Sequence, residues 1–209
     1  MKKDYATDFN LKYNPQTYWT GEVGKTYRER FVYGAEYIAQ EQRLIEFLKT
    51  LEFRSVLEVG CGFGRITKLM LEHFPQIKTY DAADISQDQI AQACLYVADP
   101  RVTFYTSALT NMLYIASRRK YDLVLAVEVL MHVLPEDLQD NVLALSRMCR
   151  KHLVTVDWQQ RSAEQQEQET DPINFSHDYA TLYHQLFLDF REIQIPQSKQ
   201  SIFHVELPP

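Results

Sequence analysis

Hydrophobic and polar positions change rhythm near residue 35. The first 34 residues, MKKDYATDFNLKYNPQTYWTGEVGKTYRERFVYG, are rich in Tyr, Phe and Trp but show no sustained period. That many aromatics favour burial over disorder, so the segment is expected to lie across a preformed domain. From Glu36 to Leu51, the apolar residues Ile38, Leu44, Ile45, Leu48 and Leu51 recur at helical spacing. A strand–helix alternation then begins. SVLEV (55–59) predicts a buried strand, and RITKLMLEHF (65–74) a helix with Ile66, Leu69, Met70 and Phe74 on one side. TYDAADI (79–85) reads as a strand and SQDQIAQACLYVA (86–98) as a helix opened by Ser86 as N-cap. VTFYT (102–106) is a third strand, followed by a short helix over 109–118. YDLVLAVEV (121–129) is apolar nearly throughout, as a central parallel strand should be. PEDLQDNVLALSRMCR (135–150) starts with proline and continues as a helix, and HLVTVDW (152–158) is a fifth strand. The polar, acidic stretch 161–172 reads as a solvated loop. HDYATLYHQLF (177–187) is helical, and a polar turn separates two closing strands, FREIQI (190–195) and SIFHVEL (201–207).

Five strands alternating with helices imply a parallel sheet covered on both faces. The closing strands have no helix between them, so they must pair antiparallel. The expected fold is α/β: a Rossmann-like, doubly wound, mostly parallel seven-stranded sheet with an antiparallel last strand. Residues 1–34 are expected to form an N-terminal aromatic lid or packing strap, and 35–209 the main domain.

Composition narrows the class. With 209 residues, 45% hydrophobic and 24% charged, the chain can bury a real core as one domain. A net charge of -6 argues against nucleic-acid or anionic-membrane partners. The start lacks the apolar region of a signal peptide. The longest apolar run, LVLAVEVLMHVL, is broken by Glu128 and His132 and is too short to span a bilayer. Cys61, Cys94 and Cys149 are odd in number and lack paired spacing, which suits a reducing cytoplasm better than disulfides or a zinc site.

The candidate chemistry gathers around LEVGCGFGR (57–65), where Gly60, Gly62 and Gly64 follow the first strand. In an open parallel sheet this is the ligand crevice. Backbone without side chains allows close approach, and the N–H groups opening the next helix can receive an anionic group. Asp84, about 20 residues on at the end of the second strand, can accept both ribose hydroxyls of an adenosine. Dinucleotide loops share this layout but place a small residue where Arg65 stands. VLEVGCGFGR, AADIS and YDLVLAVEVLMHV, in this order, resemble the class I S-adenosylmethionine-dependent methyltransferases over residues 55–158. The resemblance implies S-adenosyl-L-methionine as cofactor. Glu58, Gly60 and Gly62 would face its methionine end, with Cys61 and Gly64 completing the loop. Asp84 would hold the ribose, Ile85 would pack on adenine, and Glu128 would border both cofactor and acceptor. Many members carry an acid after the third strand; here Ser107 stands there, so adenine recognition would lean on Ala108 and Leu109.

An oxygen or ammonium acceptor must lose a proton, for which His132 leads, ahead of His177 and Glu128. Trp19, Tyr27 and Phe31 are expected to form an aromatic lid favouring a sulfonium by cation–π attraction, with Arg30 beside them. Residues 18–31 also resemble a segment of small methylases found beside nonulosonic-sugar biosynthesis. The expected acceptor is a small polar molecule, sugar-related or a secondary metabolite, methylated on O or N. The alternatives are a protein or peptide methyltransferase and a non-catalytic cofactor-binding subunit. No metal is expected, and oligomeric state is not legible.

Overall fold

The computed structural model describes residues 13–109, 111–112, 120–159, 173–196 and 198–208. Three helices come first: α1 (Pro15–Thr20), α2 (Glu22–Arg30) and α3 (Ala35–Leu48). The alternating part follows as β1 (Ser55–Val59), α4 (Arg65–His73), β2 (Thr79–Asp84), α5 (Gln87–Val97), β3 (Val102–Thr106) and β4 (Tyr121–Val127). Two 3-10 turns, Leu130–His132 and Pro135–Asp137, lead into α6 (Leu138–Met148) and β5 (Cys149–Trp158). The chain closes with α7 (Tyr179–Leu186), β6 (Arg191–Gln194) and β7 (Gln200–Glu206). The expected loop over 161–172 and most of the expected helix over 109–118 lie outside the described residues.

Among the described residues, one seven-stranded sheet runs in the order β3-β2-β1-β4-β5-β7-β6. The first five strands pair in parallel, and β7 is antiparallel to both β5 and β6. Because strand side chains alternate in direction, one strand feeds two cores. Val56 of β1 joins a cluster with Leu44 and Leu48 of α3 and Ile66 and Met70 of α4. Leu57, the next residue, joins Leu145 and Met148 of α6 and Tyr179 and Tyr183 of α7. The sheet is thus buried on both faces, which is why its central strands are nearly all apolar.

The local signals explain several boundaries. Ser86 caps α5 by accepting the Gln89 N–H, and Asn14 caps α1 by accepting the Thr17 N–H at 3.0 Å. Both use a short polar side chain to satisfy a helix-start donor. The 135–150 segment divides: its first three residues form the 3-10 turn, and Cys149 and Arg150 already belong to β5.

The aromatic segment is helical, and it docks through a glycine. Gly24 in α2 is buried, and a Cβ there would stand 1.8 Å from the Trp19 carbonyl oxygen and 2.8 Å from Ser86 Oγ. Any larger residue would hold α2 away from the start of α5. The Gln89 side-chain amide donates to the Gly24 carbonyl, securing the contact. No helix among the described residues is long and apolar enough to cross a membrane.

Candidate active site

A cavity of about 600 Å³ opens beyond the carboxyl ends of β1 and β4. These strands are neighbours at the point where the order reverses, the usual ligand crevice of such sheets. Ligand pockets typically span about 300–1,000 Å³. After Val59 the chain turns through Gly60, Gly62 and Gly64 with φ of 72°, 53° and 89°. A Cβ on Gly60 would stand 2.3 Å from Val129 Cγ2, so strain and space both demand glycine there. The N–H groups of Gly60 and Cys61 donate to the Ala83 carbonyl at 2.7 and 3.0 Å. That ties the loop to the end of β2.

Asp84 lies at that end. Its Oδ2 accepts the Gly62 N–H and its Oδ1 the Ser86 N–H, both at 2.8 Å. Each oxygen keeps a second lone pair for a ligand. Burial raises the Asp84 pKa against the pull of these N–H groups. Gln89 lines the same wall, and its Oε1 is buried with no hydrogen-bond partner among the described residues. Ile85, Ser107, Ala108 and Leu109 continue the wall. The Ser107 N–H donates to the Asp84 carbonyl at 2.8 Å and its hydroxyl to the Ala108 carbonyl at 3.1 Å.

Glu58, on β1, is 2% exposed. Its Oε2 accepts the Thr67 hydroxyl at 2.5 Å and the Tyr80 hydroxyl at 2.7 Å. Burial outweighs these donors and pushes its pKa up to about 7. Glu128 follows β4 in a left-handed backbone conformation, φ 59°, with its N–H on the Val156 carbonyl at 2.7 Å. Its carboxylate accepts Arg65 at 3.1 Å and the Gln200 amide at 2.7 Å. Burial raises the Glu128 pKa, with Arg65 opposing the shift. Arg65 also reaches Glu41 at 2.7 Å and Gln40 at 3.1 Å, both on α3. Its guanidinium lies 4.9 Å from the Tyr37 ring centre and 5.5 Å from that of Phe31. The bulky residue in the glycine loop therefore braces α3 against the ends of β4 and β7.

The opposite wall is aromatic. Trp19 meets the His132 ring edge-on at 4.8 Å and Tyr27 at 5.6 Å, and Tyr27 continues to Phe31 and Phe63. Burial, reinforced by Glu128, raises the Tyr27 pKa, so the phenol stays neutral. His132 Nδ1 lies 2.9 Å from the Ile173 carbonyl oxygen.

The sequence-predicted Glu58, Gly60, Cys61, Gly62, Asp84, Ile85, Ser107, Ala108, Leu109, Glu128, His132, Trp19 and Tyr27 all line this one cavity. Gly64 stands behind it as the cap of α4. Arg30 is exposed and donates back to the Val23 carbonyl of its own helix at 3.0 Å. His177 is buried off the cavity wall, with Nε2 3.0 Å from the Val133 carbonyl oxygen and its pKa lowered by burial. Sequence reasoning missed Gln89, and it used Arg65 only to set dinucleotides aside. A glutamine three residues after an N-cap serine was the available signal for the first.

Comparisons with known proteins agree with this geometry. Residues 56–153 match the family model described as a methyltransferase domain. Among solved structures, the chain resembles a DhpI-SAM-HEP complex at 16% identity and TM-score 0.72, covering 93% of this chain and 96% of that one. It resembles magnesium protoporphyrin IX methyltransferase (ChlM) from Synechocystis PCC 6803 with bound SAM at 17% identity and TM-score 0.67, covering 94% and 99%. The plantazolicin methyltransferase BamL, in complex with a triazolic desmethylPZN analog and SAH, matches at 16% and 0.67, covering 92% and 94%. Over residues 56–153 the chain thus matches a methyltransferase domain, and its fold is that of solved methyltransferases with bound SAM or SAH. The residues present fit that cofactor: the Asp84 oxygens and the orphaned Gln89 Oε1 supply acceptors for adjacent hydroxyls, and Gly60 leaves room for close approach.

Proposed function

We propose that the enzyme methylates an oxygen or nitrogen of a small polar acceptor, and that His132 takes the acceptor's proton. One observation carries this reading. A carbonyl can only accept, so the Ile173 contact fixes the proton on His132 Nδ1 and leaves the lone pair on Nε2. The ring forms part of the cavity wall. Bound S-adenosylmethionine supplies an already activated methyl group. The protein's work is then to orient, to exclude water and to hold a base. Orientation can contribute roughly 7–11 kcal/mol and a general base about 10² to 10⁴ in rate.

Asp84 and Gln89 would hold the ribose hydroxyls, Ile85 would pack on adenine, and Ser107 to Leu109 would border it. Glu128 is a weaker candidate base because Arg65 and Gln200 already hold its carboxylate. His177 has its Nε2 on a carbonyl and lies off the cavity wall, which favours His132 over it. Of the 1–34 segment, residues 13–34 pack across the 35–209 domain as a strap; within them Trp19 and Tyr27 form a lid that closes one wall and keeps water from the reacting atoms. A small-molecule acceptor fits a cavity of this size. The thiols Cys61, Cys94 and Cys149 are free, which fits the cytoplasm.

A panel of small hydroxyl and amine compounds, with peptides alongside, tests the proposal with methyl-labelled cofactor. Label should enter a small product, and His132→Ala should remove most of it. Label entering peptides alone would overturn the acceptor class.

A further inference from the structure

The turn that carries His132 is held in part by groups outside the cavity lining. Four of the hydrogen bonds that reach the backbone of residues 128–133 come from β5 and from residues 175 and 177. The Glu128 N–H donates to the Val156 carbonyl at 2.7 Å, and the Met131 N–H to Asp157 Oδ1 at 3.1 Å. The Phe175 N–H donates to the Met131 carbonyl at 2.7 Å, and His177 Nε2 to the Val133 carbonyl at 3.0 Å. Three of these acceptors are backbone carbonyls. The fourth, Asp157, is a side chain, and it is fully buried at 0% exposure.

Asp157 sits near the end of β5, paired with Ser201 of β7. Its carboxyl faces the backbone N–H groups of Val129, Leu130 and Met131. Among the described residues its Oδ2 has no hydrogen-bond partner, and neither has the fully buried Tyr179 hydroxyl. It forms no ion pair among the described residues. Burial holds its pKa well above the usual carboxylate range, against the pull of the N–H groups. An under-satisfied buried carboxyl costs stability, so its presence near the end of an interior strand calls for a reason. The reason lies in the turn. Glu128 has a strained left-handed backbone, φ 59°, and such a conformation persists only where surroundings over-determine it.

We propose that Asp157 is a positioning residue for His132: its buried carboxyl anchors the 129–131 backbone and thereby fixes where the imidazole meets the cavity. This rests on the reading of His132 as the base. A side chain on a central strand is a rigid post, and a misplacement of about 1 Å at a reacting group can cost on the order of 10² in rate. His177 does the same work from the other side of the turn, through Val133.

The test measures kcat and the S-adenosylhomocysteine dissociation constant for Asp157→Ala and Asp157→Asn, and for Asp157→Ala combined with His132→Ala. Asp157→Ala should lower kcat about 10- to 100-fold, with cofactor-product affinity within about threefold. Asp157→Asn still offers an oxygen to the Met131 N–H and should keep kcat within about fivefold. In the His132→Ala background, the Asp157→Ala change should cost less than about threefold more, because positioning is worthless without the group positioned. Should Asp157→Ala fail to fold, Asp157→Ser carries the same expectation, being too short to reach Met131 but able to hold water. Normal kcat in Asp157→Ala, or an equal loss in both backgrounds, overturns the inference and makes Asp157 purely structural. Normal turnover in His132→Ala overturns the base reading and this inference with it; loss there, with Asp157→Ala unaffected, overturns the inference alone.

Discussion

The two ends of the cavity are built by different means. At the end proposed for the cofactor, strand ends and a glycine loop present backbone, and the carboxylate of Asp84 is held by N–H groups of Gly62 and Ser86 within 22 residues of it. At the other end, two short helices and a 3-10 turn present aromatic rings and an imidazole. These are fixed from far along the chain: Ile173 holds the His132 ring, Asp157 holds Met131, and Gln89 holds Gly24. The first end is part of the sheet itself; the second is assembled upon it from segments distant in the chain.

That contrast can be broken at several points. The largest expected effect is at the cofactor end, where Glu58 is buried among donors. Its folded pKa of about 7 lies above the ordinary 4.5. At low pH it is protonated in both states and destabilises nothing. As pH rises through 4.5 the unfolded chain releases the proton first, so stability falls until pH passes about 7. The total is on the order of 3 kcal/mol. Thermal unfolding of wild type and Glu58→Gln between pH 4 and 8 should therefore diverge, the glutamine variant gaining relative stability as pH rises. Parallel curves would show that Glu58 is not buried ionisable cargo in the apo protein.

At the acceptor end, His132→Ala should lower turnover about 10² or more, leaving S-adenosylhomocysteine affinity within about threefold. Equal loss in both would make His132 part of the cofactor site and erase the division. A smaller effect is expected of Gly24→Ala. The added Cβ must displace the Trp19 carbonyl or lift α2, so the KM for acceptor should rise several-fold while the core's thermal midpoint moves little. A large drop in thermal midpoint would mean the strap is part of the core instead.

The same division governs what the sequence disclosed. SVLEV and VTFYT are strands over the expected 55–59 and 102–106, because a parallel strand is a short apolar run with sharp polar ends. Ser86 signalled its cap role by residue type alone. The expected strand 121–129 ends at Val127, since Glu128 turns into the left-handed region, which no propensity of glutamate foretells. Helices α1 and α2 have no visible period, because their aromatic side chains face a cavity and not a core stripe. Asn14 and Pro15 were nonetheless a cap and a first-turn proline in plain view. Arg65 shows the limit most clearly. Its partners Glu41, Gln40 and Glu128 lie 24, 25 and 63 residues away, so only the fold reveals that it braces the site.

Calorimetric titration of S-adenosylhomocysteine into wild type, Asp84→Ala and His132→Ala tests the central division most directly. Bonds from a charged acceptor contribute about 1.5–3 kcal/mol each, so Asp84→Ala should weaken binding tenfold or more. His132→Ala should bind as wild type does. An unchanged dissociation constant in Asp84→Ala, or a comparable loss in His132→Ala, would contradict a cavity with one end for the cofactor and another for the chemistry.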